Sequence, residues 1–288
     1  MMNDGSAPLF AFSTLACPGW DALTVVERAA AYGYGGIEWR GGPRGTVRLA
    51  WPARRRDEVR AAMAAAGLRS VAVTAYPNLI SGDATVRQRS IVDLVDHLEL
   101  ARDLGAPTVR AFVGVRDDDA TRDTLRGRAC DGLATALGRA AGLGVGIAIE
   151  PHDDHVRAAD VRPILDALPD PRLGVVWDIA NAWAAGDRPA TGLAAFAGRI
   201  AWVQVKDGTG AGASWRLCPL GAGEVPIAAA LRDLAVAAAR GGWPLPPISV
   251  EWERAWHPEL DPPEVALPAA LAWLRATVPG AVVAAARP

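Results

Sequence analysis

Residues 146–178 decide the fold, because they contain one complete repeat of a pattern that recurs along the chain. The short apolar run GIAIE at 146–150 is followed by a helical pattern at 158–168 and by a second apolar run, LGVVWD, at 173–178. Runs this short, apolar up to their last residue, are typical of strands buried in a parallel sheet. A strand, a helix and another strand in this order predict a βαβ unit.

The same alternation extends in both directions and predicts eight strand–helix units in 288 residues. The predicted strands are 9–15, 37–39, 70–76, 108–113, 146–150, 173–178, 200–206 and 248–252. The predicted helices are 21–31, 54–66, 85–104, 121–143, 158–168, 193–197, 227–240 and 263–277. Eight such units favour an α/β fold of the closed (β/α)8 type, a single TIM barrel over residues 1–288. The first strand–helix turn lacks the GxGxxG of an open dinucleotide-binding sheet.

Composition excludes several classes of protein. The net charge is −2 and no stretch of the chain is strongly basic, which disfavours nucleic-acid binding. The sequence contains no apolar run of the ~18 residues that span a bilayer, and its start lacks a secretory pattern. The widely spaced Cys17, Cys130 and Cys218 suit a reducing compartment, so we expect a cytoplasmic protein.

Lys206 is the only lysine among 30 basic residues. Arginine serves wherever a generic positive charge is needed in this chain. A single lysine therefore indicates a position where a compact ammonium cannot be replaced by the planar guanidinium of arginine, with chance survival of one lysine as the alternative.

Polar side chains gather where the later strands end. Glu150, Asp178, Gln204 and Glu251 fall near the ends of strands five to eight. The active sites of (β/α)8 barrels lie at these ends, which converge near the axis. Three carboxylates brought together there would resist ionisation unless a cation compensated them. Oxygen ligands favour a hard divalent ion, Mg2+ or Mn2+, so we predict these four residues as metal ligands.

Several short motifs make the chain resemble the sugar phosphate isomerase/epimerase superfamily, the xylose isomerase-like TIM barrels. The motifs are Phe12-Ser13-Thr14-Leu15, Cys17-Pro18 with Trp20, Gly35-Gly36-Ile37-Glu38, Val109-Arg110, Ile149-Glu150-Pro151-His152-Asp153-Asp154, Trp177-Asp178-Ile179, Val205-Lys206-Asp207, Leu220-Gly221-Ala222-Gly223-Glu224 and Val250-Glu251-Trp252-Glu253. The resemblance implies that Glu150, Asp178 and Glu251 are three of the family's four metal ligands. The fourth, usually histidine, is Gln204 here, whose carbonyl oxygen also suits a hard metal.

The resemblance also implies an activity: a metal-dependent isomerase or epimerase that moves a proton alpha to a carbonyl through an enediolate. The substrate would be a sugar, a cyclitol or a small hydroxy-carbonyl compound. Glu150 and Glu251 would transfer the proton. Lys206 would bind a substrate oxygen or stabilise the enediolate, and the alternative for it is an ion pair with Asp207.

Further residues near strand ends are candidates for substrate contact. They are His152, Arg110, Glu38, Asn181, Trp177 and Trp252. Tryptophan rings can pack on the C–H faces of a sugar, with core packing as the alternative. His152 could instead orient Glu150, and Glu38 and Arg110 could instead form a buried ion pair between strands. Asn181 stands where the epimerase branch of the family often has histidine.

Other activities remain open at this point. A metal-dependent dehydratase or lyase acting on an inosose-like or dehydroshikimate-like ketone would use the same site. A non-catalytic sugar-binding barrel would be consistent with Gln204 and Asn181. A DNA-repair endonuclease is disfavoured by only four histidines and a net charge of −2. The expected partner is a small sugar-like molecule rather than nucleic acid or membrane, and a homo-oligomer is compatible with such barrels.

Overall fold

The computed structural model describes residues 8–278, in which eight parallel strands form a closed barrel. The strands are β1 (Phe10–Ser13), β2 (Gly36–Arg40), β3 (Arg69–Thr74), β4 (Thr108–Ala111), β5 (Gly146–Ile149), β6 (Leu173–Asp178), β7 (Ile200–Val205) and β8 (Ile248–Val250). Neighbours in the chain are neighbours in the barrel, and β8 pairs with β1 to close it. The predicted (β/α)8 fold is confirmed. The prediction of one domain over 1–288 extends beyond the described residues at both ends.

Helices surround the barrel. They are α1 (Ala22–Tyr32), α2 (Ala53–Ala65), α3 (Ala84–Asp103), α4 (Arg122–Arg139), α5 (Ala158–Ala167), α6 (Ile179–Ala184), α7 (Pro189–Phe196), α8 (Ile227–Gly241) and α9 (Pro263–Thr277). Among the residues described, no helix is both long and apolar enough to cross a membrane. The boundaries follow local chemistry. The side chain of Asp21 accepts hydrogen bonds from the amides of Leu23 and Thr24 and starts α1, which ends at the left-handed Gly33.

The segment after β6 differs from the prediction, which placed one weak helix at 193–197. The structure has two helices there, α6 and α7. The first begins immediately after Asp178, so no loop residues separate it from the strand. The second begins earlier than predicted, at Pro189, whose fixed φ angle suits the first turn of a helix.

The alternation of side chains along each strand positions the site. A small buried cluster inside the barrel includes Ala148, Val176 and Trp202. Side chains two residues apart on a strand share a face. Glu150, Asp178 and Gln204 therefore lie on the same inner face, one layer closer to the carboxyl ends of the strands.

Asp207 anchors the loop that follows β7. This loop contains a short antiparallel hairpin, Asp207–Thr209 with Arg216–Cys218. The buried carboxylate of Asp207 accepts four backbone N–H groups. The donors are Gly208 (2.9 Å), Gly221 (2.9 Å), Gly223 (3.1 Å) and Val225 (3.2 Å). A Cβ at residue 223 would overlap this carboxylate, which requires glycine there. Asp207 thus does not serve as the partner of Lys206, contrary to the alternative considered above.

Replacing this anchor will loosen the loop. We expect Asp207→Ala to lower the free energy of unfolding by about 3 kcal/mol or more, because buried amides lose a charged acceptor. Urea denaturation measures the effect. The exposed Asp233→Ala on α8 is the control and should change stability by less than about 0.5 kcal/mol. Equal stability of the two variants would contradict the anchoring role.

Candidate active site

Three carboxylates meet at the carboxyl end of the barrel. Glu150 follows β5, Asp178 ends β6, and Glu251 follows β8. Each offers an oxygen within 4.8 Å of the others, and all three residues are buried. They converge because parallel strands of a barrel deliver their last residues to one rim.

The two carboxylate oxygens of Asp178 have different partners, because Asp178 is also the N-cap of α6. Its Oδ1 accepts hydrogen bonds from the amides of Ala180 (2.8 Å) and Asn181 (2.9 Å). This capping holds the side chain in one orientation. The other oxygen, Oδ2, is buried and pairs with the Nζ of Lys206 at 2.8 Å.

Gln204 lies between the carboxylates. Its Nε2 donates to Glu38 Oε1 (2.7 Å) and to Glu251 Oε1 (3.0 Å). These bonds fix which end of the amide is the oxygen, and that oxygen is buried without a hydrogen bond. Glu150 Oε2 and Asp178 Oδ2 are buried as well, and each faces a cationic side chain, Arg110 at 3.2 Å and Lys206 at 2.8 Å. Buried acceptors without donors are costly, so this set of oxygens fits a hard divalent cation.

Lys206 lies among the acids. Its Nζ is 2.5 Å from Glu253 Oε1, 2.6 Å from Glu251 Oε2 and 2.8 Å from Asp178 Oδ2. An ammonium has three donors around a single point and can serve three carboxylates that approach from different sides. A planar guanidinium cannot do so, which gives a physical reason for the only lysine in the sequence.

Arg110 on β4 holds Glu150 from the other side, with 3.2 Å between Arg110 Nη1 and Glu150 Oε2. The guanidinium carbon lies 4.6 Å from the ring centre of Tyr76 and 4.1 Å from that of Phe112. The two aromatic rings restrict the arginine and shield the ion pair from water. Phe112 also stacks on His152, with ring centres 4.2 Å apart.

Burial governs the ionisation of these acids. It raises the pKa of Glu150 well above its usual range, against the opposing charge of Arg110, and it also raises the pKa of Asp178. Burial, reinforced by the charge of Glu251, raises the pKa of Glu38 to about 7. Burial acts in the same direction on Glu251, but the attraction of the Lys206 ammonium outweighs it. The pKa of Glu251 is therefore lowered from its usual value.

The charges in this cluster do not balance. Two cations, Arg110 and Lys206, face four carboxylates. These are Glu150, Asp178, Glu251 and Glu253. With all four ionised, two negative charges lack a counter-charge, which is the charge that one divalent cation supplies.

A cavity of about 620 Å³ opens above the carboxylates, within the size range of small-molecule sites. Glu150, Glu251 and Lys206 line it, together with the predicted residues Arg110 and His152. Five of the residues predicted from the strand ends therefore line one cavity, while Asp178 and Gln204 lie beside them, off its lining.

The other predicted contacts lie elsewhere. Glu38 lies beneath the acids and binds Gln204, while Asn181 Nδ2 donates to Glu150 Oε1 (3.3 Å). Trp177 and Trp252 occupy the opposite face of their strands and pack in the main hydrophobic core. The Nε1 of Trp252 donates to the backbone oxygen of Asp261 (2.9 Å).

Sequence reasoning missed several residues that line the cavity. They are Arg40, Tyr76, Phe112 and Glu253. Alternation along the chain could have identified two of them. Glu253 comes two residues after Glu251, and Arg40 comes two residues after the inward-facing Glu38.

Comparison with known proteins identifies the family. A family model described as xylose isomerase-like TIM barrel matches residues 26–277, and the chain belongs to that family. A search of curated proteins finds no match. The resemblance inferred from the sequence motifs is confirmed.

Solved structures share the fold at low sequence identity. The IolI protein with a bound zinc atom is 18% identical, with a TM-score of 0.76 and coverage of 93% of this chain and 97% of its own. An L-ribulose 3-epimerase is 19% identical, with a TM-score of 0.75, and the match covers 98% of this chain and 100% of the epimerase. The 3-keto-D-glucoside 4-epimerase YcjR from E. coli is 18% identical, with a TM-score of 0.73 and coverage of 93% and 99%.

Lys206 and a divalent cation would compensate the same carboxylates. Without added metal, we expect Lys206→Met to destabilise the protein by about 3–5 kcal/mol, because buried acids lose their partner. Added Mn2+ should raise the melting temperature of this variant more than that of the wild type. Thermal melts in EDTA and in Mn2+ measure both effects, with the exposed Arg232→Met on α8 as control. An equal rise in variant and wild type would show that Lys206 and the metal act at separate places.

Proposed function

We propose that this protein is a divalent-metal-dependent isomerase or epimerase that moves a proton alpha to a carbonyl group. The substrate is a sugar, a cyclitol or a small hydroxy-carbonyl compound. One observation carries the proposal: the carboxylates of Glu150, Asp178 and Glu251 converge within 4.8 Å, and those of Glu150 and Glu251 line a cavity. Membership of the xylose isomerase-like family supports it.

Four residues would hold the metal, namely Glu150, Asp178, Gln204 and Glu251. The unpartnered oxygen of Gln204 and the mutual approach of the three carboxylates support this ligand set. All of the proposed ligands are oxygen atoms, which suits Mn2+ or Mg2+. When bound, the metal would polarise the substrate carbonyl and stabilise the charge of the enediolate.

Glu150 and Glu251 are the proposed proton-transfer residues. They come from β5 and β8, which are not adjacent in the barrel, so their carboxylates reach the cavity from different sides. One carboxylate can remove a proton from the α-carbon while the other returns one. Return to the opposite face of the same carbon gives epimerisation, and return to the neighbouring carbon gives isomerisation.

Three further residues would assist. Lys206 lines the cavity and can donate a hydrogen bond to a substrate oxygen, while Arg110 holds Glu150 in place. His152 stacks on Phe112 at the cavity wall, where its ring can contact a substrate hydroxyl. Trp177 and Trp252, which pack in the core, are not part of the proposed site.

The proposed setting is the cytoplasm and the proposed ligand is a small sugar-like molecule. Cys17, Cys130 and Cys218 are all free thiols, which supports a reducing compartment. Solved structures of the same fold include proteins named as epimerases of L-ribulose and of a keto-glucoside, which supports a sugar substrate.

Metal content tests the ligand set. We expect about one equivalent of Mn2+ in the protein after incubation and dialysis, because the four oxygens form one site. The double variant Glu150→Gln, Glu251→Gln should retain none. Elemental mass spectrometry measures both. Glu253→Gln, which removes a charge from the cluster but no proposed ligand, is the matched control and should keep the metal. Metal-free wild-type protein after Mn2+ incubation would refute the metalloenzyme proposal.

Exchange of the α-proton tests the reaction. In D2O with Mn2+, the wild type should incorporate deuterium alpha to the carbonyl of a ketose, as followed by NMR over a panel of ketoses. Glu150→Gln and Glu251→Gln should each slow exchange by about 10²–10⁴, because each loses a proton-transfer group.

The same experiment separates the alternatives. Exchange with loss of water from the product would indicate a lyase acting on a keto substrate. Tight binding of ligand without exchange would indicate a non-catalytic sugar-binding barrel. Either result would contradict the isomerase proposal while leaving the fold and family unchanged.

A further inference from the structure

Arg40 is a buried cation with no partner in the described part of the chain. Its residue is 7% exposed, and no hydrogen bond or ion pair from its side chain reaches any described residue. The Nε atom is buried without an acceptor. A buried charge is costly unless it is paired. The other buried cations of the site, Arg110 and Lys206, both contact carboxylates.

Arg40 faces the cavity above the carboxylate cluster. It ends β2, two residues after Glu38, and therefore points to the same inner face. Its Cα lies about 6.6 Å further along the strand than that of Glu38, since each residue advances a strand by about 3.3 Å. Arg40 lines the same cavity as Glu150 and Glu251. A molecule bound at the acids can thus extend to the guanidinium.

Trp256 covers this guanidinium. The guanidinium carbon of Arg40 lies 4.4 Å from the ring centre of Trp256, in the loop after β8. The tryptophan is 47% exposed, so it shields Arg40 from solvent without being part of the core. Stacking on an aromatic face leaves the edge of the guanidinium free to donate two parallel hydrogen bonds. Arg44, exposed at the rim, also lines the cavity and adds a further positive charge to it.

We propose that Arg40 binds an anionic group, a carboxylate or a phosphate, at the end of the substrate that lies away from the carboxylate cluster. This inference rests on the proposed function and narrows its substrate to acidic sugar derivatives, either sugar acids or sugar phosphates. An anion supplies both the charge and the paired acceptors that the guanidinium lacks. A neutral sugar would leave the buried charge unpaired.

The test compares three non-reacting ligands that share a four-carbon polyol chain. They are erythritol (neutral), erythronate (carboxylate) and erythritol 4-phosphate. Isothermal titration calorimetry measures their binding to the wild type, Arg40→Met, Arg40→Lys and the rim control Arg44→Met, in Mn2+ and again in EDTA. The metal-free arm separates binding by Arg40 from chelation of the metal by the carboxylate of erythronate.

We expect Arg40→Met to weaken the binding of at least one anionic ligand by about 10- to 100-fold, the effect of losing a hydrogen-bonded charge pair. Its affinity for erythritol should stay within twofold. The anion affinity of Arg40→Lys should lie between those of the wild type and Arg40→Met, because lysine keeps the charge but loses the paired donors. Arg44→Met should weaken anion binding by less than Arg40→Met. The anionic ligand that depends on Arg40 identifies the group as carboxylate or phosphate.

Two results would overturn the proposal. One is a wild type that binds neither anion more tightly than erythritol, and the other is an equal loss for neutral and anionic ligands in Arg40→Met. Should Arg40→Met fail to fold, Arg40→Lys carries the same comparison. The readout is binding and not turnover. Anion binding through Arg40 without deuterium exchange would therefore refute the proposed reaction while keeping this site.

Discussion

The carboxylates of Asp178, Glu251 and Glu253 crowd around one ammonium, that of Lys206, while Glu150 beside them pairs with Arg110, and the site depends on this arrangement. Acids at such short range cannot all ionise in a buried place without positive charge. Lys206 and Arg110 supply part of it, and a divalent cation would supply the remainder. The amide oxygen of Gln204, buried beside the cluster without a donor, fits the same requirement for a cation.

The two halves of the barrel contribute different chemistry. The acids and Lys206 come from the ends of β5 to β8, while Arg40, Tyr76, Arg110 and Phe112 come from β2 to β4 or from the residues just after them. The second half therefore carries the proposed oxygen ligands and the proposed proton-transfer groups. The first half offers cationic and aromatic surfaces suited to holding the remainder of a substrate. A parallel barrel allows this division because every strand delivers its last residues to the same rim.

Much of this could be predicted from residue patterns. The eightfold alternation determined the barrel, and the acids at strand ends indicated one site. Two side chains were predicted to contact the substrate, although the alternation of side chains along a strand places them on the outer face of the barrel. Trp177 and Trp252 each neighbour an inward-facing acid and so must point to the opposite face. The helix α6 was missed because Asp178 is both the last residue of the strand and the N-cap of the helix. No loop residues separate the two elements, so the sequence shows no break between them.

By itself, the sequence determined the order of strands and helices, the inward face of each strand and the special position of Lys206. These are local properties, set by spacing along the chain and by the chemistry of single residues. Only the tertiary structure decided which polar atoms are satisfied. That Asp207 is bound by backbone amides depends on how the loop after β7 folds back on itself. That Lys206 meets three acids and that Arg40 has no described partner depend on contacts between strands far apart in the chain. Such contacts follow from how the barrel closes, and no spacing in the sequence records them.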